Sequence, residues 1–168
     1  MITIQTVGII DAQKQIAALT PEFQKKARKA IRATMKDAKS KAVEAVLERY
    51  TIQKADVSKT LRTKISGLQG ELTASGKNNL LYKFRNTPQG RIKSRGVYIK
   101  SEVVRGATKT NKLAWRKSRG PYIFERKGSK RLPYKKVYGP STPRMLANHL
   151  VSQKVVKFME NKFVENFV

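Results

Sequence analysis

Between Phe23 and Tyr50 apolar residues return at every third or fourth position: Phe23, Ala27, Ala30, Ile31, Met35, Ala38, Ala42, Val46 and Tyr50. That spacing draws one unbroken stripe down a helix of about eight turns. The opposite face carries Lys25, Lys26, Arg28, Lys29, Arg32, Lys36, Lys39 and Lys41. Alanine dominates the stripe, so a neighbouring element can approach closely, and the helix is expected to lie across a sheet or against another helix. Thr20-Pro21 marks its start, because threonine can cap free amides and the fixed φ of proline suits the first helical position. A chain of 168 residues built around one such element is expected to form a single core, with 1–168 as one domain.

The flanking segments change period. "ITIQTVG" alternates as a short first strand, and a brief helical piece is expected from Asp11 over "DAQKQIAAL". After a turn or short helix at "TIQKADVSK", the stretches "TLRTKIS" and "ELTASG" around "GLQG" predict a hairpin with Leu61, Thr63 and Ile65 on one face. "LLYKF" and "GVYIKSEVV" are further strand candidates, the second with Val97, Ile99 and Val103 on one side, and "RNTPQGRIKSR" between them is a polar loop or hairpin end. The segment 105–121 carries Arg105, Lys109, Lys112, Arg116, Lys117 and Arg119, no acid, and the aromatic Trp115. It is expected to stay mobile until it meets a partner. "YIFERKG" predicts a final strand. In "YGPSTPRML" Gly139 and Pro140 make a turn, and Thr142-Pro143 repeats the capped start before a second long helix with Leu146, Leu150, Val155, Val156, Met159, Phe163 and Phe167 on its apolar face.

Reactive groups are scarce. There is no cysteine and one histidine, His149, which removes disulfides, thiolate chemistry and multi-histidine metal sites; His149 is expected to be a partly buried structural residue of the last helix. Glu44 and Glu48 lie one helical turn apart and read as solvated charges near Lys41 and Arg49. "KGSK" and "SGK" place glycine beside lysine without the spacing of a phosphate loop. No catalytic, cofactor-binding or metal-ligating residue is assigned, no cofactor or small-molecule substrate is expected, and the chain does not read as an enzyme.

Charge points elsewhere. Lysine and arginine number 37 against 11 aspartates and glutamates, a net charge of +26. Between Lys77 and Lys136 stand 19 basic residues and two acids, Glu102 and Glu125. Such an excess is tolerated beside a polyanion or an acidic partner surface. Trp115, Tyr122 and Phe124 could stack on unpaired bases, which fits a free cytosolic nucleic-acid-binding protein; a basic surface docked on acidic protein rings fits the same composition. The start "MITIQTVGII" lacks the basic region and cleavage site of an export signal, and no run of about 18 apolar residues is present, so a soluble cytosolic product with no membrane partner is expected.

Two blocks carry a family resemblance. The first is Arg49, Tyr50, Ile52, Asp56, Val57 and Leu61 in "AVLERYTIQKADVSKTLR"; the second is Arg131, Leu132, Pro133, Tyr138, Gly139, Pro140, Ser141, Pro143, Met145 and Leu146 in "KGSKRLPYKKVYGPSTPRML". Together they resemble the bacteriophage minor tail protein Z family, the lambda-like tail completion or neck proteins. The resemblance spans most of the chain and departs in the basic loop around Lys109 to Arg119. It implies an α+β fold in which a long N-terminal helix and a C-terminal helix pack on a small antiparallel sheet with an extended basic loop, in agreement with the periodicity. It further implies a virion protein, present in the host cytoplasm during assembly. That protein would join the tail to the head, next to tail terminator, tail tube or head-closure proteins and with genomic DNA as a further contact. Closed symmetry would repeat it around the tail axis, as a hexameric ring. On that expectation Tyr138, Gly139, Pro140, Ser141, Pro143, Met145, Phe163 and Phe167 form the oligomer or partner interface. From its charge rather than from the resemblance, the loop residues Arg105, Lys109, Lys112, Trp115, Arg116, Lys117 and Arg119 are expected to contact DNA or an acidic partner.

Overall fold

Helix α1, Pro21–Arg49, runs for 29 residues, and it buries Ala27, Ala30, Ile31, Met35, Ala38, Ala42 and Val46 of the stripe together with Thr34, Val43 and Ala45 beside it. The computed structural model describes residues 2–4, 20–88, 98–116, 121–127 and 132–168. The helical piece expected at 11–19 and the strand position Val97 lie outside them. Thr20 occupies the cap position and Pro21 opens the helix, but the Thr20 side chain makes no capping bond; its carbonyl accepts from Gln24 N at 3.2 Å instead.

The remaining elements are α2 (Lys54–Ser58), α3 (Thr142–Leu146) and α4 (His149–Phe167), with strands β1 (Ile2–Ile4), β2 (Leu61–Ser66), β3 (Gln69–Ala74), β4 (Arg85–Thr87), β5 (Ile99–Val104), β6 (Ala107–Asn111), β7 (Ala114–Arg116), β8 (Ile123–Arg126) and β9 (Tyr134–Lys136). They form three small antiparallel sheets, ordered β1-β3-β2, β4-β5-β6 and β7-β8-β9. The fold is α+β, with a long N-terminal helix and a C-terminal helix around small antiparallel sheets.

Helix α1 is clasped from two directions. On one side α4 runs antiparallel to it: Glu48 meets Lys154 at 2.5 Å, Thr34 Oγ1 accepts from Asn166 Nδ2 at 3.1 Å, and the ring of Phe23 meets that of Phe167 edge-on at 4.8 Å. Small residues at Ala38, Ala42 and Ala45, all buried, allow the close approach. On another side it crosses the β2-β3 hairpin. A Cβ on Gly70 would stand 2.7 Å from Met35 Cγ, so the strand backbone reaches the helix only because that residue is glycine. Leu61, Leu72, Val57, Ile99, Ile123, Met145, Leu146, Val151 and Val155 complete one contiguous core. Each fully buried leucine contributes about 1.5–3 kcal/mol.

Several expectations need correction. The hairpin forms, but β2 leaves the core after Leu61, and Thr63 and Ile65 are exposed. "LLYKF" is not a strand: Leu81–Lys83 is a 3-10 turn, since Leu80 bridges to Tyr138 and Leu81 N donates to Val137 O at 3.0 Å, and the chain then turns back at Phe84. The closing helix is not continuous. Helix α3 ends at Ala147, and Asn148 caps α4 by accepting from Leu150 N at 3.3 Å. The cap that opens α3 is Ser141, which accepts from Arg144 N at 3.4 Å, whereas Thr142 is inside the helix and buried. His149 is exposed, because the break turns the first residues of α4 outward.

Candidate partner interface

The Tyr138 to Leu146 corner is built from the inside. Gly139 N donates to Asn79 O at 2.7 Å and Asn79 Nδ2 donates to Pro140 O at 3.0 Å, which ties the corner to the segment before the 3-10 turn. Gly139 lies flat on Phe84, where a Cβ would meet the ring at 2.6 Å. Beyond the turn, Pro143 and Met145 are buried and Leu146 joins the core. Of the proposed interface residues, Tyr138 is 54% exposed and Gly139, Pro140 and Ser141 are half-buried. Pro143 and Met145 have no surface to offer a partner. Phe163 packs against the core and stacks on Phe167 at 5.7 Å, and Phe167 meets Phe23, so both rings belong to the α1-α4 seam. Sequence reading could not separate these from an interface, because an apolar helix face looks the same whether it meets its own chain or another.

The basic segment is not a free loop over its described part. Strand β6 pairs with β5, placing Lys109 opposite Ser101, and β7 pairs with β8, placing Trp115 opposite Phe124. The mobile segment expected at 105–121 therefore contains two strands. Their polar composition can form a ladder because the partner strands β5 and β8 bring the core residues Ile99 and Ile123. Lys117 and Arg119 lie outside the described residues. Lys109 and Lys112 are exposed. Arg105 has a structural duty: its N–H donates to Arg49 O at 2.8 Å and its Nε to Leu47 O at 2.7 Å, capping the C-terminus of α1. The turn it opens is closed by Gly106 at φ 79°, whose N–H donates to Glu102 Oε1 at 2.8 Å. That bond holds the Glu102 carboxyl below its ordinary range, assisted by Arg85. Arg116 is half-buried, burial lowers its guanidinium from its ordinary value, and its Nε has no acceptor.

The third sheet has an aromatic outer face. Residues directly opposite, or two apart along a strand, share a side, so Trp115, Tyr122, Phe124, Arg126, Tyr134 and Lys136 stand together while Ala114 and Ile123 point to the core. Ring centres of Trp115, Phe124 and Tyr134 lie 5.2 to 6.3 Å apart. Lys136 Nζ sits 4.5 Å above the Tyr122 ring and Arg126 lies 6.0 Å from the Trp115 ring. Phe124 is buried beneath its neighbours, whereas Tyr122 is exposed. The alternation that marks this face, aromatic residues every second position next to cations, was present in the sequence, but the partner strand of each could not be read from it.

Asp56, in the first resemblance block, is the anchor of a charge cluster. Its carboxylate accepts from Lys59 Nζ at 2.6 Å and Lys83 Nζ at 2.5 Å. Burial pushes its pKa up, and the two lysines outweigh that and hold it below the ordinary carboxylate range. The arrangement ties α2 to the 3-10 turn and offers no open position for chemistry. Among the described residues no group of three or more histidines, cysteines or carboxylates could hold a metal ion, and no helix is long and apolar enough to cross a membrane. The described surface presents the cationic ridge of α1, Lys109 and Lys112 at the end of β6, and the aromatic face with Arg126 and Lys136. In comparison with known proteins, no family model, curated protein or solved structure matches this chain.

Proposed function

We propose that this protein is a structural component of a tailed bacteriophage particle, a tail completion or neck protein at the head-proximal end of the tail. There it joins tail to head and helps position DNA for delivery. The observation that carries this is the Tyr138 to Leu146 corner. Its proline-bounded, glycine-dependent turn contains no reactive group, yet it locks the 3-10 turn, the third sheet and the closing helices into one angle. Val57 and Leu61 of one block that resembles the minor tail protein Z family, and Met145 and Leu146 of the other, belong to the same hydrophobic core. A scaffold of that kind sets how one subunit meets the next. Its +26 charge is neutralised in the particle by acidic surfaces of tail terminator, tail tube or head-closure neighbours, with Lys109 and Lys112 reaching DNA. The test is to purify particles and identify their polypeptides by mass spectrometry alongside a particle lacking the gene. Expected are a small fixed copy number per particle, a multiple of six, and loss of DNA delivery in the deletion. Absence of the chain from purified particles overturns the proposal.

One observation favours a second reading, a free cytosolic nucleic-acid-binding protein. The aromatic face of the third sheet, with Tyr122 exposed and Lys136 over it, is chemically suited to stacking unpaired bases. Tight binding of oligothymidine by the purified monomer, with a steep salt dependence and no assembly, would select it.

A further inference from the structure

The end of α1, the β5-β6 turn and the first turns of α4 enclose an open groove lined in part by Glu48, Arg49, Val104, Arg105, Leu150 and Lys154. Its charges are unequally matched. Lys154 is taken by Glu48 at 2.5 Å, and neither arginine forms a salt bridge among the described residues. Arg105 is held in place by its two bonds to the helix-end carbonyls. Arg49 Nε is buried without an acceptor, and the residue as a whole is half-buried on the groove wall. Beside these charges Leu150 is 52% exposed, although Val151 next to it is buried.

We propose that this groove is a docking socket for an acidic segment of a neighbouring protein. One carboxylate of the segment is received by Arg49 and Arg105, and an adjacent aliphatic side chain is laid on Leu150 and Val104. The proposal rests on the docking role above and names the partner chemistry for one part of the surface. Planar guanidinium groups accept a carboxylate through paired N–H bonds, and a fixed arginine loses less freedom in doing so. A nucleic-acid backbone fits less well: it would bring phosphates along the whole groove, past the Glu48 carboxylate, and leave Leu150 uncovered. A single carboxylate flanked by a leucine-like group meets the two arginines, neither of which is in a salt bridge among the described residues, and covers the apolar wall, while Glu48 stays on Lys154.

The experiment uses the full chain and a fluorescein-labelled peptide of alternating glutamate and leucine, read by fluorescence anisotropy at physiological ionic strength. The pair Arg49→Gln with Arg105→Gln is expected to weaken binding about tenfold or more, as loss of a buried charge-assisted contact does. The control pair Arg62→Gln with Lys64→Gln removes the same charge from the exposed face of β2 and is expected to change affinity less than about twofold. Arg49→Lys, which keeps charge and loses the fork, should fall between, and thermal melting of each variant checks that it is folded. Leu150→Ser and a peptide with serine for leucine should each weaken binding. Equal losses from the groove and control pairs, or an oligothymidine that displaces the peptide from the groove, overturn the socket. If the chain is present in purified particles while the groove variants bind the peptide normally, the socket fails and the docking role stands. If the chain is absent from particles, the docking role fails whatever the peptide does.

Discussion

Gly139 is the residue on which the corner turns. With the Phe84 ring 2.6 Å from where a Cβ would stand, Gly139→Ala must push the ring into a filled core, and overpacking of this kind costs about 1–3 kcal/mol. Chemical denaturation should show the unfolding free energy falling by that amount, while Tyr138→Ala, at an exposed position, leaves it nearly unchanged. Asp56 gives a pH signature. Because Lys59 and Lys83 hold its folded pKa below the ordinary value, its contribution is complete above the unfolded pKa of about 3.9 and is lost as pH falls through the lower folded value. Asp56→Asn should lower stability at pH 7 by about 1–3 kcal/mol and flatten the acid limb of a urea-stability profile. An unchanged acid limb would mean that other carboxylates carry it.

At the scale of elements, α1 holds its charge against its own interest. Lys29 has Lys25 and Lys26 one turn before it and Arg32 one turn after, all exposed and of one sign. Like charges at these spacings each cost about 0.2–0.5 kcal/mol. Lys29→Glu replaces three repulsions by attractions and should raise the melting temperature of the isolated protein at low salt; if the ridge docks on acidic neighbours, it should also reduce incorporation into particles. A stabilised variant that assembles normally would place the docking surface elsewhere. The same helix was the most legible part of the sequence, since its period was sustained over eight turns and no competing signal interrupted it. The β2-β3 hairpin was legible for its Gly67 turn, and β8 for its bounded apolar run, although β9 follows and pairs with it, so β8 is not the final strand. "LLYKF" misled because its short apolar run fits a strand and a buried turn alike, and only the pairing of Leu80 with Tyr138, far along the chain, decides between them. The break at Ala147 was hidden because Asn148, a good cap, also passes within a helix, and the strands in 105–121 were hidden because their apolar partners lie on β5 and β8. Of the candidate site, Tyr138 and Lys109 are exposed, whereas the inward turn of Met145, Pro143 and Phe167 depends on tertiary packing that periodicity does not encode.

For the whole molecule the imbalance of 37 cations against 11 anions makes the isolated state electrostatically unfavourable, and seven salt bridges among the described residues engage only a minority of the cations. Any polyanion that binds the folded form more tightly than the unfolded chain must therefore raise its stability by mass action. A polyanionic probe such as heparin, added at about a hundredfold above its Kd in dilute buffer, should stabilise the protein by about 2.7 kcal/mol. The gain should shrink as salt rises, because exposed charges are screened over about 10 Å at 0.1 M and about 3 Å at 1 M. Differential scanning calorimetry at several salt concentrations measures this directly. The unliganded protein should behave in the opposite sense, melting higher as salt is added, since screening relieves its self-repulsion. The two curves should converge near 1 M. If the unliganded protein instead melts lower with salt, its paired charges outweigh its unpaired ones, and the surface is not waiting for an acidic partner.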